Sequence, residues 1–125
     1  MIFDTDVLIW VQRGNERAAK LVDNQRDRYI SIQTYMELLQ CAKNKNQHKT
    51  IRQFLKDFNF TILTLSENIG HRAAIYIEEY TMSTGIRSGD AIIAATATEN
   101  NLPLSSSNKK HYSRIQDLQL KVFRP

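Results

Sequence analysis

Short apolar runs alternate with helical patterns along the 125 residues of the chain. The apolar runs predict strands at residues 1–3, 28–31, 60–65, 102–105 and 120–123. The run FTILTL at 60–65 is rich in β-branched residues, which favour the pleated surface of a sheet. Each of the first four runs is separated from the next by a segment long enough to form a helix, which is typical of parallel strands joined by helical crossovers.

The segments between the runs carry apolar residues at helical spacing. Tyr35, Leu38, Leu39 and Ala42 recur three and four positions apart, so they form one face of a helix over 32–42 that Ser31 can cap. The same reasoning predicts helices at residues 16–24, 49–58, 67–80 and 90–100. The helix over 90–100, DAIIAATATEN, consists almost entirely of small or apolar residues, so we expect it to be buried against the sheet.

This alternation predicts an α/β fold in three layers, with a mainly parallel central sheet flanked by helices. The sequence contains no repeat, no low-complexity stretch and no evident linker, and 125 residues is an ordinary domain length. We therefore expect a single domain over residues 1–125. In such folds functional groups collect beyond the carboxyl ends of the strands.

Composition narrows the class of protein. With 42% hydrophobic residues, 24% charged residues, 4 glycines and 2 prolines, the chain is neither disordered nor fibrous. A lone cysteine, Cys41, excludes an internal disulfide, and no Cys/His cluster has the spacing of a zinc site. The N-terminal segment carries two acids and no preceding basic residue, and no apolar run is long enough for a membrane span. These features predict a soluble cytoplasmic protein.

The net charge is +4, from 17 Lys and Arg against 13 Asp and Glu. Basic residues are concentrated at 43–56 and again at 109–124. A positive field attracts polyanions, so the charge is compatible with nucleic acid. It is equally typical of a solvated surface.

Four acidic residues are bordered by hydrophobic sequence. Asp4 and Asp6 follow the first predicted strand, Asp90 opens the buried helix, and Glu37 lies between two apolar residues of its helix. Buried carboxylates need donors, a basic partner or a cation, and a hard divalent ion such as Mg²⁺ or Mn²⁺ relieves the repulsion between converging acids. Spacing also permits purely structural roles. Asp4 could cap the turn after its strand, Asp90 could favour a helix dipole and Glu37 could form a salt bridge with another helix, while for Asp6 helix capping is expected ahead of direct ligation.

The sequence resembles PIN-domain proteins, and in particular the VapC-type toxins of bacterial and archaeal toxin–antitoxin pairs. The resemblance spans nearly the whole chain and rests on four segments in the same order and spacing. They are DTDVLI at 4–9, SIQTYMELL at 31–39, SGDAIIAATA at 88–97 and LSSSNKKHY at 104–112. The third is the most specific, because an acid at the start of a buried small-residue helix is typical of the family.

The resemblance implies a PIN-like α/β/α domain with metal-dependent endoribonuclease activity. Asp4, Glu37 and Asp90 match the family's acidic triad, so we expect them to be the catalytic residues and the ligands of Mg²⁺ or Mn²⁺, with Asp6 in a supporting position. It also implies an RNA substrate, a small cognate antitoxin that covers the active site, and a homodimer.

The late part of the chain departs from the family pattern. Asn108 is nearest to a position where many members have an acid, and His111 is where a second acid often lies. Asn108 can still offer a carbonyl oxygen or bond a metal-bound water, and Ser106 could orient Asp4 or be an ordinary strand-end hydroxyl. His111 is also a candidate general acid.

Three basic residues, Arg87, Lys109 and Lys110, are candidates to contact the RNA backbone, since such contacts position a nucleic acid without reading its sequence. Their alternative role is that of solvated loop charges.

Two other hypotheses compete with the nuclease hypothesis. Because Asn108 stands where the resemblance leads us to expect a further acid, the chain could be an impaired PIN-like module that binds RNA or an antitoxin without cleaving. A phospho-acceptor receiver domain is also a small doubly wound fold, but its acceptor aspartate is absent after the run at 60–65. That reading also leaves Glu37 and Asp90 unexplained.

Overall fold

The computed structural model describes residues 1–125 as five strands and seven helices. The strands are β1 (Ile2–Phe3), β2 (Arg28–Ser31), β3 (Phe60–Leu63), β4 (Leu104–Ser106) and β5 (Leu120–Val122). The helices are α1 (Thr5–Gln12), α2 (Glu16–Asp23), α3 (Ile32–Cys41), α4 (Lys45–Asp57), α5 (Glu67–Thr84), α6 (Ser88–Glu99) and α7 (Lys109–Tyr112). None of these helices is long and apolar enough to cross a membrane.

The five strands form one sheet in the order β3-β2-β1-β4-β5, and every neighbouring pair is parallel. Strand β1, which is only two residues long, lies at the centre of the sheet. Its Ile2 is paired with Tyr29 on one side and with Leu104 on the other. A parallel sheet with helices on both faces confirms the predicted three-layer α/β/α fold.

Two separate hydrophobic cores lie on the two faces of the sheet. Phe3 belongs to the core that the sheet forms with α1, α2, α3 and α4. Ile2 belongs to the other core, formed with α5, α6 and α7. Neighbouring strand residues point to opposite faces, so these two fully buried side chains anchor both layers. Most of α6 is buried, as its small-residue sequence predicts.

The strand order places a crevice at the centre of the sheet. From β1 the chain proceeds to β2 on one side, and it later returns to β4 on the other side. The connections leaving β1 and β4 therefore diverge, and the carboxyl ends of these two strands form the topological switch point at which α/β folds bind ligands. Asp4 directly follows β1, and Ser107 directly follows β4.

Several element boundaries differ from the sequence prediction. The expectation that Asp6 caps a helix is wrong, because α1 begins at Thr5 and Asp4 is its N-cap. Helix α4 begins at Lys45, four residues early, because Asn44 caps a polar first turn that has no apolar stripe. The short helix α7 was not predicted, since four polar and aromatic residues carry no periodic pattern.

Helices α5 and α6 also differ at the break between them. Helix α5 continues to Thr84 and ends at Gly85, whose φ of +73° is a left-handed conformation that glycine adopts readily. Helix α6 begins at Ser88, so Asp90 is its third residue and not its first.

Candidate active site

A cleft of about 420 Å³ opens at the carboxyl ends of β1 and β4. Its walls bring together the four acidic residues singled out in the sequence and the late asparagine: Asp4, Asp6, Glu37, Asp90 and Asn108. They come from the end of β1, from α1, α3 and α6, and from the segment after β4, so only the folded chain places them in one cleft.

Asp4 is the most deeply buried of these acids, with 6% of its surface exposed. Its Oδ2 accepts a hydrogen bond from the Ser106 hydroxyl at 2.7 Å, and its Oδ1 accepts one from the Thr5 amide at 2.8 Å. Burial raises the pKa of Asp4 to about 7, and the nearby charges of Asp6 and Asp90 act in the same direction. The two hydrogen bonds only partly offset these effects, so the neutral form of Asp4 is favoured more than it would be in water.

Asp6 lies in the first turn of α1 and is held by one residue after β4. Its Oδ2 accepts hydrogen bonds from the Ser107 amide at 2.9 Å and from the Ser107 hydroxyl. Its Oδ1 is buried and has no hydrogen-bond partner. An unsatisfied buried carboxylate oxygen is unfavourable unless a cation or an ordered water meets it.

Glu37 projects from α3 toward α1 and α6. Its Oε1 accepts a hydrogen bond from the Thr5 hydroxyl at 2.5 Å, and its Oε2 accepts one from the side-chain amide of Gln33 at 3.3 Å. No basic side chain forms an ion pair with it, so a salt bridge to another helix, the alternative left open by the sequence, is wrong. A Cβ atom on Gly89 would lie 2.9 Å from Glu37 Oε2, so the carboxylate packs against the glycine backbone of α6.

Asp90 receives donors from two directions. Its Oδ2 accepts from the Arg87 amide at 3.3 Å, which stabilises the first turn of α6, and lies 2.8 Å from His111 Nδ1. Its Oδ1 lies 3.4 Å from the Tyr112 hydroxyl. Asp90 therefore both stabilises the start of α6 and lines the acidic cleft.

Tyr112 was missed in the sequence. It is 1% exposed, and burial, followed by the charges of Asp4, Asp90 and Asp6, raises its pKa well above the usual tyrosine value. The phenol therefore stays protonated beneath the acids. An aromatic residue after two lysines has the appearance of an ordinary core position, so no sequence signal separated it from the core.

The segment after β4 supplies polar groups to the cleft. Asn108 caps α7, accepting at Oδ1 from the His111 amide at 3.3 Å, and its own amide donates to the Ser106 hydroxyl at 2.9 Å. Ser107, which holds Asp6, was also missed in the sequence, because three consecutive serines look like an ordinary loop.

The three predicted RNA contacts are exposed and form no ion pair within the chain. Arg87 is the N-cap residue of α6, three positions before Asp90. Lys109 and Lys110 begin α7, next to Asn108 of the cleft. All three are thus neighbours in sequence of residues in the acidic cluster, and their contact with RNA stays a prediction.

The donor chemistry of the cleft fits a hard divalent cation. Its candidate ligands are carboxylate oxygens, Asp6 Oδ1 is buried without a hydrogen-bond partner, and burial together with the neighbouring acids raises the pKa of Asp4. No group of three or more His, Cys, Asp or Glu side chains is already gathered around one point. Since Glu37 is held by a hydroxyl and an amide, small side-chain rotations are required before the acids converge on an ion.

An apolar groove of about 370 Å³ lies beside the cleft, between α1, α3 and α4. Leu38, Ile51 and Phe54 are among its lining residues, and Cys41 lines both the groove and the cleft. The exposed Lys49 is on α4, the helix that forms one wall of this groove.

Comparison with known proteins agrees with this geometry. The PIN domain family model matches residues 1–118. Ribonuclease VapC1 of Rickettsia felis is 31% identical over 127 residues, covering 96% of this chain and 93% of the relative. Ribonuclease VapC1 of Methanocaldococcus jannaschii is 30% identical over 94 residues, covering 75% and 68%. A toxin–antitoxin complex from Klebsiella pneumoniae contains a chain that superposes with a TM-score of 0.80 at 30% identity, covering 94% of this chain and 93% of that one.

The family match covers most of the chain, and the Rickettsia felis relative aligns over nearly its whole length. The parallel sheet flanked by helices agrees with that match. The chain therefore belongs to the PIN-domain family, among its VapC-type ribonucleases.

Proposed function

We propose that this chain is a metal-dependent endoribonuclease, the toxin of a toxin–antitoxin pair. The observation that carries the proposal is the cleft lined by Asp4, Asp6, Glu37 and Asp90 with no lysine or arginine paired to them. Clustered acids without a cation of their own suit an active site that takes up a divalent ion. The relatives named ribonuclease give the class of reaction.

Asp4, Glu37 and Asp90 would hold Mg²⁺ or Mn²⁺ in this cleft, with Asp6 in support. When bound, such an ion lowers the pKa of a water ligand and polarises a phosphodiester. The protein supplies the rest of the site. Ser106 and Ser107 keep two of the carboxylates in place through the hydrogen bonds described above.

Substrate binding is assigned to the basic residues beside the cleft. Arg87, Lys109 and Lys110 are exposed and unpaired, so they are free to contact the phosphates of an RNA strand. Such contacts hold the backbone in the cleft without selecting a sequence. Replacing all three by glutamine is expected to raise KM with a smaller effect on kcat.

The apolar groove is the proposed contact for the antitoxin. It adjoins the cleft at Cys41, so a small protein segment bound in the groove would block the approach of RNA. The similar chain from Klebsiella pneumoniae is part of a toxin–antitoxin complex. We expect Thr50→Arg, at the exposed edge of the groove, to weaken antitoxin binding while leaving RNA cleavage intact.

A second candidate function is supported by the residues after β4. By the resemblance described above, Asn108 and His111 are at positions where acids are expected, and no group of three or more His, Cys, Asp or Glu side chains is gathered around one point. A module that binds RNA or an antitoxin without cleaving would have these features. It leaves unexplained why four acids line the cleft.

One experiment separates the two functions. Purified protein is incubated with a mixed cellular RNA pool and Mg²⁺ or Mn²⁺, beside Asp4→Asn and Asp90→Asn variants purified identically. We expect the parent to cut, EDTA to stop it and both folded variants to be inactive. RNA binding without cleavage under either metal would favour the binding module, and equal cleavage by the variants would place the activity elsewhere or in a contaminant.

A further inference from the structure

Three of the four acids in the cleft receive a donor from one short segment, residues 106–111. Ser106 donates to Asp4 at 2.7 Å, and the Ser107 amide donates to Asp6 at 2.9 Å. His111 completes the set, with its Nδ1 lying 2.8 Å from Asp90 Oδ2. Residues 106–111 contain no acid, and their side chains and backbone instead contact Asp4, Asp6 and Asp90, which come from other parts of the chain.

The direction of the His111 contact follows from simple chemistry. An ionised Asp90 has no hydrogen to give, so the imidazole Nδ1 carries the hydrogen and donates it to Oδ2. The Asn108 side-chain amide also lies 2.9 Å from this nitrogen, but a protonated Nδ1 has no lone pair left to accept from it. In the tautomer with hydrogen on Nδ1, that hydrogen is donated to Asp90.

This bond leaves the two oxygens of Asp90 in different states. Oδ2 is engaged by His111 and by the Arg87 amide at 3.3 Å. Oδ1 has only the Tyr112 hydroxyl, at the long distance of 3.4 Å. Oδ1 is thus the oxygen more available to a ligand.

We propose that His111 is a positioning residue that fixes the orientation of Asp90 for divalent-metal binding through its Nδ1 hydrogen. This inference rests on the proposed function, because it assumes that Asp90 is a metal ligand. A histidine that bonds a ligating carboxylate orients it without adding another negative charge to the crowded cleft. The same geometry makes the imidazole a support for the acid and not a replacement for the missing late acid.

The structure explains why His111 is suited to this task. Its side chain is 21% exposed, equal to that of Asp90, so the bond is partly shielded from water. Helix α7 is short, but the Asn108 cap fixes its start by accepting from the His111 amide. A flexible lysine at this position would lose more side-chain entropy on making a single bond.

The test is the affinity for Mn²⁺, measured on the full chain by electron paramagnetic resonance, for the parent and for His111→Ala, His111→Asn and His111→Gln. An asparagine amide can occupy the position of Nδ1, whereas a glutamine amide reaches toward the position of Nε2. We expect alanine to weaken Mn²⁺ binding by about 10–100-fold, asparagine to restore most of it and glutamine to restore little. Thermal unfolding without metal checks that all four proteins are folded.

Equal Mn²⁺ affinity in the parent and in His111→Ala would overturn the role of His111 while leaving the proposed function standing. Equal loss in the alanine and asparagine variants would also overturn it, because the Nδ1 hydrogen would then not be the cause. A parent that binds no Mn²⁺ at all would overturn the metal-dependent function and this inference together.

Discussion

The structure contains two clusters of acidic side chains, and they obtain positive charge in different ways. In the first, Arg72 of α5 forms ion pairs with Glu99 and Asp117, each at 2.5 Å. In the second, the acids of the cleft are met by hydroxyls, amides and a single imidazole. In the first cluster both carboxylates are paired with an arginine, whereas in the cleft no carboxylate is paired with a lysine or arginine. This difference is the reason for proposing a cation site in the cleft and none at Arg72.

The largest predicted difference comes from removing one charge in each cluster. Glu37→Gln keeps the size of the side chain but removes a proposed metal ligand, so we expect RNA cleavage to fall by about 100-fold or more. Glu99→Gln makes the same chemical change in the Arg72 cluster and should leave cleavage within about twofold, a small effect on the barrier. Initial rates on one RNA substrate, at equal concentrations of folded protein, measure both.

The two glutamine variants serve as controls for each other. If both reduce cleavage equally, the loss reflects general destabilisation and the distinction between the clusters fails. Thermal unfolding of both variants, recorded beforehand, verifies that each is folded at the assay temperature.

The pH dependence of stability measures the unfavourable burial of the Asp4 carboxylate. The pKa of Asp4 is about 7 in the folded protein, against 3.8 as its reference value, so the folded state binds this proton more tightly than the unfolded state. The resulting stabilisation is present below about pH 4 and is lost as the pH rises through about 7. We expect Asp4→Asn to be more stable than the metal-free parent by about 2 kcal/mol at pH 8, with the difference shrinking toward pH 4.

Thermal unfolding of both proteins from pH 4 to pH 8, in the presence of EDTA, measures this difference. Saturating Mn²⁺ should then raise the melting temperature of the parent at pH 8 and leave the variant nearly unchanged. A constant difference between the two proteins at every pH would contradict the link to the ionisation of Asp4.

A smaller effect is predicted for the contact between α3 and α6. In Gly89→Ala the new Cβ would lie 2.9 Å from Glu37 Oε2, so the carboxylate must move aside. Alanine favours a helix over glycine by about 1 kcal/mol, so the protein should remain folded while cleavage falls by about 10-fold.

Gly70→Ala is the matched control for this prediction. Gly70 lies in α5, and a Cβ there would meet nothing within 4 Å. Its cleavage rate should equal that of the parent. Undiminished cleavage by Gly89→Ala would show that the position of Glu37 against α6 does not matter for the reaction.

The smallest predicted effect is on the cluster of Arg72, Glu99 and Asp117. Arg72→Gln removes its cation, but the Arg72 side chain is 35% exposed and the ion pairs are partly screened by water. We expect a loss of about 1 kcal/mol or less and unchanged cleavage. Denaturant unfolding measures the stability, and a large loss of cleavage would show that the two clusters are coupled.

Much of the fold could be predicted because its signals are local. The β-branched run before Leu63 and the alanines of α6 each determine their own strand or helix. The first turn of α4 and the whole of α7 could not be predicted in this way, since capping by Asn44 and Asn108 replaces apolar periodicity there.

In the candidate site, too, some residues could be predicted from local sequence and others could not. Asp4, Glu37 and Asp90 stand out as acids within hydrophobic sequence, and the resemblance to a family adds to that signal. Their supports do not stand out. Ser107 meets Asp6 across 101 positions of sequence, and only the pairing of β1 with β4 brings them together.

The most direct test of the claim that the acidic cleft binds a divalent cation is a crystal of the protein soaked in Mn²⁺. Anomalous scattering would locate the ion. We expect a peak in the cleft, with oxygens of Asp4 and Asp90 among its ligands. A peak at Glu99 and Asp117 with none in the cleft, or no ordered ion under conditions that support RNA cleavage, would contradict it.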